Sequence, residues 1–360
     1  MNAFHSERQM KKFFLKLILG LLVSCVSLAQ STIEMDEFNA AYFQYGEAKD
    51  TKPDVAREAA RRAYEMGKEL FGAESERSAM LAVNYATLLE NETDARYYLD
   101  EAVETYQSVF GFDSERMIDP LISLGSRLSD REKFDLSEEY YLRALQLTER
   151  HFGLGSSKAG YIELEIGALQ LRIGRLDASW EHLQKARQTL ASYSDVGSRS
   201  GLTRAYLLIG EYHLARQNYR GAIDPLLLSL RDFNTYPSAD ITVRNHVDLI
   251  KAYENLNESD SATGHCLAIG ATRRLSQDEN LRPVFRAPVW GISQKSSGEP
   301  IRVHFTVDKE GYVVDPQVPE EIAQTDLRDA LIASIMRFRF APRFEDGEAV
   351  ESPNQYYDFH

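Results

Sequence analysis

A motif that returns at intervals of 39 and 42 residues constrains the fold of this chain more than any other feature of its sequence. The pattern Phe-Gly-x-x-Ser-x-Arg/Lys occurs at 71–77, 110–116 and 152–158. Each occurrence follows one amphipathic helical run and precedes another. Since Gly commonly ends a helix and Ser caps the next one, each motif predicts a loop between two helices.

Small side chains recur in two further registers with the same period. One register is formed by Gly125, Gly167, Gly210 and Ala252, at intervals of 42, 43 and 42 residues. The other is formed by Ala102, Ala144, Ala186, Ser229 and Ala271, at intervals of 42, 42, 43 and 42 residues. Small side chains allow two antiparallel helices to approach closely. Each period therefore predicts one helix hairpin, with about six of them between 33 and 278.

Residues 33–278 resemble tetratricopeptide repeats, in the 42-residue form found in kinesin light chains. The resemblance rests in one unit on Leu124-Gly125, Leu128, Phe134, Ser137, Tyr141 and Ala144-Leu145, and in the next on Ile166-Gly167, Gly174, Leu183 and Ala186. The helix-ending Pro and the first Trp of the shorter repeat are absent. The resemblance implies a mostly α fold, a right-handed α-superhelix of helix hairpins whose concave face binds peptides or protein segments.

Six tyrosines lie on the predicted first helices of their hairpins, and in that family the first helices line the concave groove. They are Tyr42, Tyr45, Tyr85, Tyr161, Tyr206 and Tyr212. Aromatic residues at helical spacing also fill cores. The sequence therefore assigns no individual groove contact to any of them.

The helical pattern ends after 278, and residues 283–360 predict a small α+β domain. Apolar and polar residues alternate strictly over 301–308, which indicates a half-buried strand. The expected order is strand 301–307, turn 308–311, strand 312–315, helix 325–337, hairpin turn Asp346-Gly347 and extended chain 350–359.

The segment 283–360 resembles the C-terminal domain of TonB-like energy transducers. The residues that carry the resemblance are the hairpin 301–315 with Gly311 in its turn, and Arg339, Phe340 and Pro342 followed by Gly347. In that family the domain pairs an edge strand with an extended segment of an outer-membrane transporter. The resemblance implies a partner-binding edge on the last strand, at Asn354, Gln355, Tyr356, Tyr357, Asp358 and Phe359. The alternative is that this strand only closes the sheet.

Residues 1–29 have the pattern of a targeting segment. Three lysines precede the apolar stretch 17–29, and the small residues around Ala29 predict a cleavage site. Two alternatives stay open: an uncleaved membrane anchor, and a lipoprotein in which Cys25 is lipidated. All three place the rest of the chain outside the cytoplasm, in the periplasm or cell envelope of a bacterium.

Charge and motifs exclude several classes of function. The formal charge of the 360 residues is −14, which argues against nucleic acid as a partner. The eight histidines and two cysteines do not have the spacing of a metal site. Phosphate loops, dinucleotide fingerprints and nucleophile elbows are absent from the sequence. We therefore expect a protein that is not an enzyme and takes no cofactor or metal.

The favoured hypothesis is an exported adaptor that binds envelope proteins or outer-membrane transporters and can self-associate. One alternative is a membrane-anchored energy transducer that supports transmembrane transport. The N-terminal apolar run lacks the histidine of TonB, and the chain lacks its Pro-rich spacer. The other alternative is an envelope-assembly lipoprotein anchored through Cys25.

Overall fold

The structure is a computed structural model that describes residues 34–233, 237–272, 280–287, 300–322 and 325–359. The predicted targeting segment 1–29, with Cys25 and Ala29, lies outside the described residues. The chain divides into two units, the first ending at Leu154 and the second beginning at Gly155. Each unit is described by itself.

The first unit consists of three helix hairpins. Its helices are α1 (34–48), α2 (Pro53–Phe71), α3 (Glu76–Ala86), α4 (Glu92–Phe110), α5 (Ile118–Asp130) and α6 (Phe134–Phe152), with a 3-10 turn at Glu115–Met117. The predicted loop motifs are confirmed here. The side chain of Ser75 accepts a hydrogen bond from the Ser78 amide, and Ser114 accepts one from the Arg116 amide. Both serines follow a glycine with positive φ, at 72 and 111.

The second unit begins with three further hairpins. Their helices are α7 (Ser157–Arg172), α8 (Leu176–Leu190), α9 (Val196–Ala215), α10 (Tyr219–Phe233), α11 (Asp240–Asn255) and α12 (Ser259–Thr272). The prediction of six hairpins is therefore confirmed in the described residues, and the mostly α fold class with it.

The small-residue registers mark places where the two helices of a hairpin touch. A Cβ atom added to Gly125 would lie 2.8 Å from the Tyr141 ring, and one added to Gly167 would lie 2.8 Å from Leu183. A Cβ atom essentially never lies this close to a non-bonded neighbour, so the close approach favours glycine. The last member of the second register is different, because Ala271 is exposed. That position of α12 makes no close helix contact.

The C-terminal module is built from short antiparallel strands and one helix. Its elements are β1 (Pro283–Phe285), β2 (Ile301–Val307), β3 (Val313–Gln317), α13 (Thr325–Ile335), β4 (Arg339–Phe340), β5 (Arg343–Glu345), β6 (Glu348–Val350) and β7 (Ser352–Phe359). The strands pair in the orders β3-β2-β7, β1-β4 and β5-β6. The predicted hairpin, helix and Asp346-Gly347 turn are confirmed. Strand β1 is missed by the sequence analysis, because three residues that begin with proline carry no alternation to detect.

The C-terminal module and the last helix hairpin share one hydrophobic core. Ile250 of α11 and Cys266 of α12 are fully buried in the same cluster as Phe305 and Phe340 of the module. Burial of apolar surface is the main favourable term in folding. The module and the hairpin α11–α12 are therefore stabilised together.

Candidate functional site at the last strand and its surroundings

The last strand, β7, lies at one edge of the three-stranded sheet. Its inner side pairs with β2 in antiparallel register, with His304 opposite Tyr356 and Val303 opposite Tyr357. Among the described strands no other pairs with β7. The strand expected to receive a partner thus occupies an edge position, and binding of a partner there stays a prediction.

The centre of the outer edge of β7 is covered by a side chain of this chain. The Asn280 amide nitrogen donates a hydrogen bond to the Tyr356 carbonyl at 3.0 Å, and the Tyr356 amide donates one to Asn280 Oδ1 at 3.0 Å. Next to it, the Leu281 amide donates a hydrogen bond to Gln355 Oε1 at 2.6 Å. Two successive residues before β1 therefore bind two successive residues of β7.

The side chains of the predicted partner-binding residues make contacts inside the module. Gln355 and Phe359 are buried, and the rings of Tyr357 and Phe359 pack on the Phe338 ring. Asp358 accepts two hydrogen bonds from Arg302 at 2.8 and 2.9 Å. A partner at β7 would therefore meet mainly the backbone of the strand, since the strand's inward side chains hold the module together.

A cavity of about 430 Å³ opens beside β7. It is lined by Asn280, Arg343, Glu345, Glu351, Pro353, Asn354, Gln355 and Tyr356. Asn354 has φ 59 within β7, where the register of the pairing with β2 shifts beside the cavity. The cavity therefore adjoins the same stretch of β7 that Asn280 covers.

Arg339, taken from the TonB-like signature, joins the module to the repeats. Its side chain is 1% exposed, and Nη1 lies 2.6 Å from Oε1 of Glu254 in α11. Its Nη2 donates to Thr263 Oγ1 in α12 at 2.9 Å, and the guanidinium lies 3.7 Å from the centre of the Tyr312 ring. Arg339 thus contacts both helices of the last hairpin from inside the protein.

The other signature residues shape the backbone around Arg339. Gly311 has φ 86, and its Cα faces the Phe340 carbonyl so closely that an added Cβ would collide with it. The Pro342 carbonyl makes an equally close approach to Gly270 of α12. Gly347 and Asp346 both have positive φ, as the two-residue turn between β5 and β6 requires.

The predicted groove tyrosines lie on first helices of hairpins, as expected, at α1, α3, α7 and α9. In the first unit, the Tyr85 ring contacts the rings of Tyr64 and Tyr98. In the second unit, Tyr161 packs on Gly201, and the Tyr212 ring stacks on Trp180. The rings of Tyr42 and Tyr45 contact each other in α1, so at least five of the six rings pack against neighbours. A role in binding stays a prediction.

Two pairs of buried titratable groups lie on helices α9, α11 and α12 of the second unit, and neither pair could be predicted from the sequence. Burial, with a smaller contribution from the neighbouring Glu211 carboxyl of α9, raises the pKa of Asp248 in α11 to about 7. Glu211 also accepts a hydrogen bond from Arg244 at 2.7 Å. The proximity of these two carboxyls could not be predicted from the repeat, because they are 37 residues apart and this spacing differs from the 42-residue period.

The second pair is His246 of α11 and His265 of α12, whose Nδ1 atoms are 2.9 Å apart. Burial lowers the pKa of both, that of His265 to about 4. In the described part of the chain, His, Cys, Asp and Glu form no group of three or more that could hold a metal ion. No helix within that part is both long and apolar enough to cross a membrane.

Comparison with known proteins identifies the repeat. A family model described as tetratricopeptide repeat matches residues 121–157, which cover α5 from residue 121 onward and all of α6. The hairpin α5–α6 is therefore similar to a tetratricopeptide repeat, and the other described hairpins repeat its helix–turn–helix arrangement. No curated protein matches the chain.

Two solved structures are similar to the chain. One is BtubC (BKLC) from P. vanneervenii, at 15% identity and a TM-score of 0.48, over 60% of this chain and 89% of that one. The other is the apo form of RapI, at 14% identity and a TM-score of 0.42, over 66% of this chain and 64% of that one.

Proposed function

We propose that this protein is a non-enzymatic, exported adaptor of the bacterial envelope, which binds an extended segment of a partner protein along β7. The observation that carries the proposal is the position of β7 at the edge of the sheet β3-β2-β7, on a module anchored in the repeat scaffold. An edge strand offers backbone N–H and C=O groups to which an extended peptide can add. The helical repeats supply the scaffold that carries this edge.

The class of partner follows from the resemblance of 283–360 to TonB-like domains. We propose an outer-membrane transporter or another envelope protein as the partner, with the chain released into the periplasm by cleavage after Ala29. The shared core of the module with α11 and α12 joins the proposed binding edge to the repeat scaffold.

Site-specific crosslinking tests the proposal. A photo-crosslinking amino acid replaces Tyr356 on β7, and in a matched control it replaces Lys309, which is exposed in the turn after β2. Crosslinking in intact cells, followed by mass spectrometry, is expected to join position 356 but not 309 to an outer-membrane protein. Equal products at both positions, or none at 356, would contradict strand addition at β7.

The mature N-terminus tests the location separately. Intact-mass analysis of the protein from envelope fractions is expected to find a chain that begins at Gln30. An intact N-terminus would support the membrane-anchored transducer instead, and a lipidated Cys25 would support the assembly lipoprotein.

A further inference from the structure

We infer that Asn280 closes the outer edge of β7, so that a partner strand must displace the Asn280 side chain before it can bind. This inference rests on the proposed function, since it describes how that binding edge is regulated. The contact is intramolecular, and it occupies the backbone groups that a partner strand would use. It therefore acts as an autoinhibitory contact.

The hydrogen bonds of Asn280 show that these backbone groups belong to the outer side of the strand. In an antiparallel strand, alternate residues direct their N–H and C=O groups to opposite sides. Asn280 binds both groups of Tyr356, so Tyr356 faces away from β2, and its neighbours Gln355 and Tyr357 face towards it. Tyr356 lies near the middle of the stretch that pairs with β2.

The Asn280 side-chain amide occupies the position that a peptide group of a partner strand would take. A carboxamide has one acceptor oxygen and a donor N–H group, as the backbone amide does. Asn280 uses both, with two hydrogen bonds of 3.0 Å to a single residue. An added strand would make the same two bonds to Tyr356, so strand and side chain cannot be bound there together.

The segment that follows Asn280 is held firmly in place. Leu281 is 3% exposed, and its amide binds the buried side chain of Gln355. Phe285 and Ala287 are buried in the core of the module, and β1 pairs with β4. Because this segment is already ordered, the Asn280 contact costs little additional conformational entropy. The Asn280 side chain therefore has a high effective concentration at the edge of β7, and a partner strand must compete with it.

The first test measures the contact itself in the full chain. Hydrogen exchange of the Tyr356 amide is compared among the wild type, Asn280→Ala and the control Asn255→Ala. Asn255 is half-buried, and its side chain donates a hydrogen bond to the Lys251 carbonyl of its own helix. We expect exchange to become about tenfold faster in Asn280→Ala alone, since two neutral hydrogen bonds are lost. Unchanged exchange would overturn the inference.

The second test measures competition. The probe is a fluorescent peptide with the sequence of residues 301–307, which already pairs with β7 inside the protein. Fluorescence anisotropy is expected to show about tenfold tighter binding to Asn280→Ala than to the wild type or Asn255→Ala. Asn280→Asp, which keeps the acceptor and loses the donor, is expected to bind with intermediate affinity.

The outcomes separate this inference from the proposed function. Equal binding to all variants would overturn the autoinhibitory contact and leave strand addition at β7 standing. Absence of binding to every variant, with faster exchange in Asn280→Ala, would overturn strand addition and its regulation together. If Asn280→Ala fails to fold, Asn280→Asp alone decides: binding no tighter than that of the wild type overturns the inference.

Discussion

The Arg339 guanidinium lies 2.6 Å from the Glu254 carboxylate, and both side chains are almost completely buried, at 1% and 7% exposure. The two residues are 85 positions apart in the chain. One belongs to the β4 strand of the C-terminal module and the other to helix α11 of the last hairpin. The ion pair therefore ties the module to the repeat scaffold at the centre of their common core.

Replacement of Arg339 by methionine is expected to destabilise the protein by about 3–5 kcal/mol, because it leaves the Glu254 carboxylate buried without its cation. The control is Arg216→Met, whose partner Asp177 is 91% exposed, and it should cost less than about 1 kcal/mol. Urea denaturation measures both changes. If the two variants unfold at the same urea concentration, the ion pair between Arg339 and Glu254 does not stabilise the contact between the module and α11.

Two glycines of α12 provide a matched pair for the contact between helix and module. At Gly270 an added Cβ would collide with the Pro342 carbonyl, whereas at Gly264 it would meet nothing within 4 Å. Gly270→Ala is expected to destabilise by about 1–3 kcal/mol through overpacking. Gly264→Ala should stabilise by up to about 1 kcal/mol through helix propensity. Thermal unfolding of the two variants checks the difference in sign.

Cys266 reports on separation of the module from the hairpin. The thiol is fully buried, and burial raises its pKa to about 11, so it should react very slowly with a thiol reagent in the native protein. With Cys25 replaced by serine, Cys266 is the only thiol in the chain. Arg339→Met is expected to accelerate its labelling by about 100-fold, as the open state becomes more populated. Fast labelling of the otherwise unchanged protein would contradict this burial.

Asp248 is expected to make stability depend on pH. Its pKa in the folded protein is raised to about 7 by burial and by the neighbouring Glu211, from 3.8. The folded state therefore holds a proton that the unfolded state releases, and the free energy of unfolding falls as pH rises from about 4 to 7. Each pKa unit corresponds to about 1.4 kcal/mol, so the loss is a few kcal/mol at most.

The variant Asp248→Asn isolates this contribution. Its free energy of unfolding should lack the decline between about pH 4 and 7 that the wild type shows. His246 and His265 have lowered pKa values and act in the opposite sense, since their neutral form is favoured by folding. They are the same in both proteins, so the difference between wild type and variant cancels them. Parallel pH curves would contradict the raised pKa of Asp248 in the folded protein.

Local rules account for what could be predicted about the repeats. The Ser75 and Ser114 caps follow from residues within a few positions of each helix start. The contact of Gly125 with Tyr141 follows from a register that returns in four of the six described hairpins. Each hairpin of a repeat protein is buried against its neighbours. The same buried positions therefore recur in successive repeats, and the period can be detected in the sequence.

The functional groups depend on contacts that have no local signature. Asn280 meets Tyr356 across 76 residues, and Glu211 meets Asp248 across two repeats. Residues 354–359 lie on the last strand, as expected, and their role as a partner-binding edge stays a prediction. The side chain that covers this edge could not be predicted from the sequence. An asparagine before a short strand has the same sequence pattern whether its side chain faces solvent or binds the edge of another strand.

By itself, the sequence determined the helix hairpins, their period, and the change to strands after 278, because these follow from backbone propensity and side-chain periodicity. Only the tertiary structure decided that Arg339 anchors the module to α11 and α12, and that Asn280 occupies the edge of β7. The physical reason is that burial and hydrogen-bond pairing between distant residues depend on the relative positions of packed elements. Those positions are set by the shared core, which forms only when the chain is folded.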